Sequence, residues 1–123
     1  CCNVRRIKIT FINVHGGYEL GTVAEKVANW CVDHFQIEPK VINISITHRY
    51  DNCWGICGEG EKPGTYDMTV VAGQSLRDFI ATIAHEMVHI RQWETQKWRG
   101  DGEREAERLQ YVIADRIWRT NVI

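Results

Sequence analysis

The sequence predicts an α+β fold, and three patterns carry that prediction. Ile42, Ile44 and Ile46 alternate with Asn43, Ser45 and Thr47, the two-residue period of a strand with one buried face. Apolar residues recur at three- and four-residue steps from Leu20 to Phe35, from Leu76 to Ile90 and from Ala106 to Ile117, which is helical spacing. The strand-like segments all end by Ala72, and two helical segments close the chain. At 123 residues the chain is read as one domain, 1–123, with a single core.

Each element follows from local chemistry. Ile7 to Val14 is rich in β-branched residues and reads as a strand closed by His15-Gly16-Gly17. The stripe Leu20, Val23, Ala24, Val27, Cys31, His34 and Phe35 then predicts an amphipathic helix ending before Pro39. Strand, helix and strand imply a right-handed crossover into Ile42–Ile46. Turn-forming residues dominate from Tyr50 to Gly64, with room for a short strand near Trp54 to Gly58, and Tyr66 to Ala72 is a further strand. Ser75 precedes Asp78 by three, as at the start of a capped helix, whose apolar face is Leu76, Phe79, Ile80, Ile83, Met87 and Ile90. A last helix runs from Glu103 to about Arg119 with Ala106, Leu109, Val112, Ile113 and Ile117 as its expected buried stripe.

Composition narrows the function. Fifteen basic against sixteen acidic side chains give a net charge of −1 with no run of one sign at either end, so no nucleic-acid surface is evident. No segment has the roughly 18 apolar residues of a membrane span, and Cys1-Cys2-Asn3-Val4-Arg5-Arg6 lacks the apolar core of a signal peptide. A cytoplasmic location is therefore expected. Five cysteines, an odd number, suit a reducing compartment better than a disulfide framework. Cys53 and Cys57 with His48 suggest a second metal site, but structural zinc takes four ligands at tighter spacing, so turn cysteines or one local disulfide fit better.

The chemistry lies in His85-Glu86-Met87-Val88-His89. On a helix, histidines four apart project from one face about one turn apart and can share a metal ion, while the intervening glutamate reaches a metal-bound water without being a ligand. A shuffled chain would show this pattern in roughly one or two cases per hundred. Context sharpens it: Asp78, Ala81 or Thr82, His85, His89 and Gln92 form a polar or small stripe on an otherwise apolar helix.

A catalytic zinc takes three protein ligands and keeps a position open. No histidine follows His89, so the third ligand must be a carboxylate. Glu94 lies about 180 degrees from His85 on a continuous helix and points away. Of Asp101, Glu103, Glu105, Glu107 and Asp115, the angular argument favours Glu105, about 65 degrees from the centre of the expected stripe, with Glu103 second at about 95 degrees. If the histidine helix continued to Trp98 it would travel about 13 Å past His89, too far for the next helix to return. It should therefore end soon after Trp93, with Thr95 to Gly102 looping back.

The run His85-Glu86-Met87-Val88-His89-Ile90-Arg91-Gln92-Trp93, followed by Trp98-Arg99-Gly100-Asp101-Gly102-Glu103-Arg104-Glu105-Ala106-Glu107, resembles the small gluzincin-type, SprT-like metallopeptidases, including minigluzincins and forms found in phage genomes. The match spans about Ser75 to Ile117; the earlier strands agree in order alone. The resemblance implies a zincin-like fold, with a small twisted mixed sheet of three to four strands on a backing helix, an active-site helix and a C-terminal glutamate helix. It implies Zn2+ as cofactor, Glu86 as general base, His85, His89 and a downstream glutamate as ligands, and a peptide or protein substrate lying antiparallel to an edge strand near Trp54 to Gly58. The sequence departs from the pattern twice. The later histidine of SprT relatives is absent, and Leu109 stands where the thermolysin-like pattern has an acid if Glu105 is the ligand. The residue that orients a ligand histidine is left between Asp78 and Asp101, and the oxyanion stabiliser among Tyr50, Tyr66, Tyr111 and Arg116. Trp54 and Trp98 are expected to flank the cleft. Two other readings stay open: a catalytically silent zinc-binding interaction module, and a zinc amidohydrolase acting on a non-peptide amide.

Overall fold

In the computed structural model, which describes residues 9–49 and 53–120, the alternating isoleucines form the middle of a sheet. The elements run β1 (Phe11–His15), α1 (Tyr18–Phe35), β2 (Val41–Thr47), β3 (Gly55–Glu59), β4 (Thr65–Val71), α2 (Leu76–Thr95) and α3 (Glu103–Arg119). The sheet order is β1-β2-β4-β3, with β1, β2 and β4 parallel and β3 antiparallel to β4 at the edge. This is an α+β fold with a four-strand mixed sheet and three helices. The first expected strand begins later than Ile7: Ile9 and Thr10 are outside the ladder, and Ile7 itself lies outside the described residues.

Register explains the two faces. Ile12, Ile42 and Tyr66 are side by side, as are Val14, Ile44 and Met68, and these positions turn their side chains to the helices. One residue out of step, Asn13, Asn43 and Asp67 line up on the opposite face, where Asn13 Nδ2 donates to Asn43 Oδ1 and Asn43 Nδ2 to Asp67 Oδ1, each at 3.1 Å. A polar ladder on that side lets parallel strands face water.

The helices α1 and α2 pack on the apolar face and on each other, and α3 packs on α2. α2 is thus covered on two sides, which is why eleven of its residues are buried, Glu86, His89 and Gln92 among them. Ser75 caps it, its Oγ accepting the Asp78 N–H at 3.1 Å. Phe79 on α2 is fully buried in the core. Phe79→Ala should destabilise the protein by about 3–5 kcal/mol, read as a fall in the urea midpoint at unchanged slope.

The stripe on α3 departs from expectation at two positions. Val112 is 56% exposed, and Ala114, at 1%, is buried with Ala106, Ile113 and Ile117. Two helix caps set the return of the chain. α2 stops two residues after Trp93, with Gln96 in the left-handed region at φ 57°. After the bend of residues 96–102, Asp101 Oδ1 accepts the Glu103 N–H at 3.0 Å and starts α3.

Candidate metal centre

His85 and His89 sit one turn apart on α2 with their rings edge to face, 5.1 Å between centroids. Glu103, the first residue of α3, reaches both: Oε2 is 3.0 Å from His85 Nε2 and Oε1 is 2.9 Å from His89 Nε2. The three ligand atoms lie within 4.8 Å of one another, a group that could hold a metal ion. Two imidazoles and a carboxylate are donors that zinc and other divalent transition metals accept.

Glu105, the first choice from the angular argument, is not in this group, and Glu103, the second choice, is. Its carboxylate accepts instead from Gln92 Nε2 at 3.1 Å. The reason lies in Val112 and Ala114. Counting Val112 as buried, overlooking Ala114 and giving the half-buried Leu109 full weight turns the centre of the stripe by about 50 degrees; with the observed buried set, Glu103 is about 40 degrees from the centre and Glu105 about 120. Gln110, seven residues after Glu103, falls on the same side.

The rings are held from behind by amides. His85 Nδ1 is 2.7 Å from Gln110 Oε1, and His89 Nδ1 is 2.9 Å from Gln92 Oε1. Such partners leave Nε2 of each ring facing the centre, as a metal ligand requires. Asp78 and Asp101, the expected partners, do other work: Asp78 accepts from Tyr111 Oη at 2.8 Å and Asp101 caps α3. Sequence reasoning had placed Gln92 on the histidine stripe without assigning it a role. Its signal in the sequence is an amide on that face between Ile90 and Trp93, and the structure shows it only 3% exposed. Gln110 gave a weaker one, its spacing from Glu103.

At His89 the geometry tests whether a cation fits. The Gln92 amide donates to Gly102 O at 3.0 Å and to Glu105, so its oxygen must face His89 and accept the Nδ1 proton. In a neutral ring His89 Nε2 would then turn a lone pair on a carboxylate oxygen at 2.9 Å. Two lone pairs at that distance repel, and either a second ring proton, in an ion pair with Glu103, or a metal ion removes the conflict.

Glu86 is buried to 6% exposure and lines, with His85, a cleft of about 650 Å³ between β3 and the α2–α3 pair. Trp54, Gly55, Thr82, Gln110 and Tyr111 share that lining. Burial raises the Glu86 carboxyl pKa, opposed by the charges of His85 and His89. Gly55 brings the edge strand close: a Cβ there would lie 2.5 Å from Thr82 Cγ2 and 3.6 Å from Glu86 Cγ. Cys57 Sγ is 3.5 Å from the Glu86 carbonyl oxygen, and burial, then the Glu86 charge, pushes its thiol pKa far up, so it stays protonated.

The remaining candidates are dispersed. Among the described residues, no group of three potential ligands includes His48, Cys53 or Cys57, and Cys31, Cys53 and Cys57 are free thiols, so the local disulfide is not formed. Glu94 points away, accepting from Tyr66 Oη, which removes Tyr66 from the cleft. Tyr111 is at the cleft, Arg116 is exposed near the end of α3, and Tyr50 lies outside the described residues. Asp115 pairs with Arg77, while Glu107 lines the cleft and is not in the group with the two histidines. Trp54 flanks the cleft; Trp98 lines a separate depression with Arg104 and Arg108. No helix of the described residues is long and apolar enough to cross a membrane.

Comparison with protein-family models, with curated proteins and with solved structures found no match.

Proposed function

We propose that this chain is a zinc-dependent metallopeptidase of the gluzincin type, with a zincin-like fold, in which His85, His89 and Glu103 hold the ion and Glu86 is the general base. The observation that carries the reading is one carboxylate, from α3, meeting both Nε2 atoms of the His85-Glu86-x-x-His89 pair, whose His85 and Glu86 line a cleft. Zinc, when bound there, lowers the pKa of its water towards about 7 and polarises the scissile carbonyl. Glu86 accepts the proton of the attacking water and returns it to the leaving amine. Its burial raises the carboxyl pKa, the direction that makes a carboxylate a better proton acceptor. β3 supports the choice of a peptide substrate: it is an edge strand beside the cleft, and an extended peptide can add to its free side through main-chain hydrogen bonds. Tyr111, whose hydroxyl faces the cleft lining at Asp78, is the candidate for contact with the developing oxyanion.

The test is zinc-loaded protein incubated with a diverse peptide pool, with new termini read by mass spectrometry. Cleavage that stops with a chelator and returns with zinc is expected. Full zinc loading with no new terminus would sink the peptidase assignment.

A further inference from the structure

We propose that Glu105 and Gln92 form a relay that sets the tautomer and orientation of His89, so that the glutamate nearest in sequence to the ligand Glu103 is a positioning residue rather than a ligand. The inference rests on the metal-site reading above and extends it to residues that touch no ion. Gln92 is 3% exposed, and each of its polar atoms has a defined partner. Its Nε2 donates to Gly102 O at 3.0 Å and to Glu105 Oε1 at 3.1 Å, which uses both amide protons. A flipped amide would turn its oxygen on two acceptors and leave both unsatisfied. The orientation is therefore determined by Glu105 and Gly102, and it delivers Oε1 to His89 Nδ1 at 2.9 Å. His89 is left with a proton on Nδ1, so Nε2, aimed at the centre it shares with Glu103, is the ring atom free to bind a metal ion.

The backbone is shaped around this amide. Gly102 has φ +79°, and a Cβ there would lie 2.1 Å from Gln92 Oε1 and 2.7 Å from its Cδ, so a side chain at 102 would expel Gln92 from its seat. The same residue begins the turn into α3 that delivers Glu103. The bend between the helices thus places a ligand and seats the amide that orients another.

Three variants test the relay: Gln92→Leu, Glu105→Leu and Glu105→Gln. Zinc affinity is measured by competition with a chelator, and the ring Nδ1–H protons of His85 and His89 by NMR. Gln92→Leu should weaken zinc by about 10- to 100-fold and lose the slowly exchanging His89 Nδ1–H signal while the His85 signal, held by Gln110, persists. Glu105→Leu should shift both readouts in the same direction, and Glu105→Gln, whose amide oxygen still accepts from Gln92, should restore them. Zinc affinity within twofold of wild type in both leucine variants with the His89 signal intact would overturn the proposal. So would Glu105→Gln failing as badly as Glu105→Leu. The same resonance in metal-free protein, compared between wild type and Gln92→Leu, reads the relay without any ion. A chain that takes up no zinc would therefore refute the metallopeptidase reading while this signal still decides the relay.

Discussion

Glu86→Gln is expected to lower kcat/KM for a cleaved peptide by about 10²- to 10⁴-fold while zinc content stays at one ion per chain. The amide keeps the volume and the hydrogen-bonding reach of the carboxylate and loses only the ability to take a proton. Stability should not suffer. Glu86 is 6% exposed and burial opposes its charge, so neutralising it removes a desolvation cost, and the melting temperature should hold or rise. A variant that retains zinc, folds and loses turnover identifies a base; one that keeps full turnover would refute Glu86 as the proton acceptor. A silent zinc-binding module would behave differently, since partner binding through the same surface would survive the substitution.

The second large effect separates the two glutamates of α3. Glu103→Gln should weaken zinc by about 10²- to 10³-fold, because a ligand charge is lost from a set of only three protein ligands. Glu105→Gln should stay within about threefold of wild type. The contrast is informative because the two residues are one helical turn apart in neither direction: about 200 degrees of rotation separates them. Only one can face the histidines. If Glu105→Gln lost the metal and Glu103→Gln kept it, the assignment of the third ligand would be reversed.

Much of the fold was legible because its signals are local. The period-two isoleucines of β2, the Ser75 cap and the stripes of α1 and α2 each rest on residues within one or two turns of one another, and the element order followed directly. The end of α2 near Trp93 was legible for a different reason: a straight helix has a fixed rise, and a ligand on the next helix has to return within a few residues. The sheet order was not available from such signals. β4 inserts between β2 and β3, a pairing between strands distant in sequence that no local pattern specifies.

What the sequence by itself determined at the site is the pair His85 and His89 with Glu86 between them, since their spacing and the helical period place them together on any helix that contains them. It also determined that a third ligand, if it is a protein side chain beyond His89, is a carboxylate. Only the tertiary structure decided which carboxylate joins the histidine pair. The answer turned on whether Val112 or Ala114 is buried, a difference set by how α3 rolls against α2 and not by hydrophobicity, for valine is the more apolar of the two. The same roll brought Gln110 to His85, and the bend at Gly102 brought Gln92 and Glu105 into register behind His89. Amides and glycines carry little periodic signal of their own; they gain meaning when packing excludes water and every buried donor and acceptor has to find a partner.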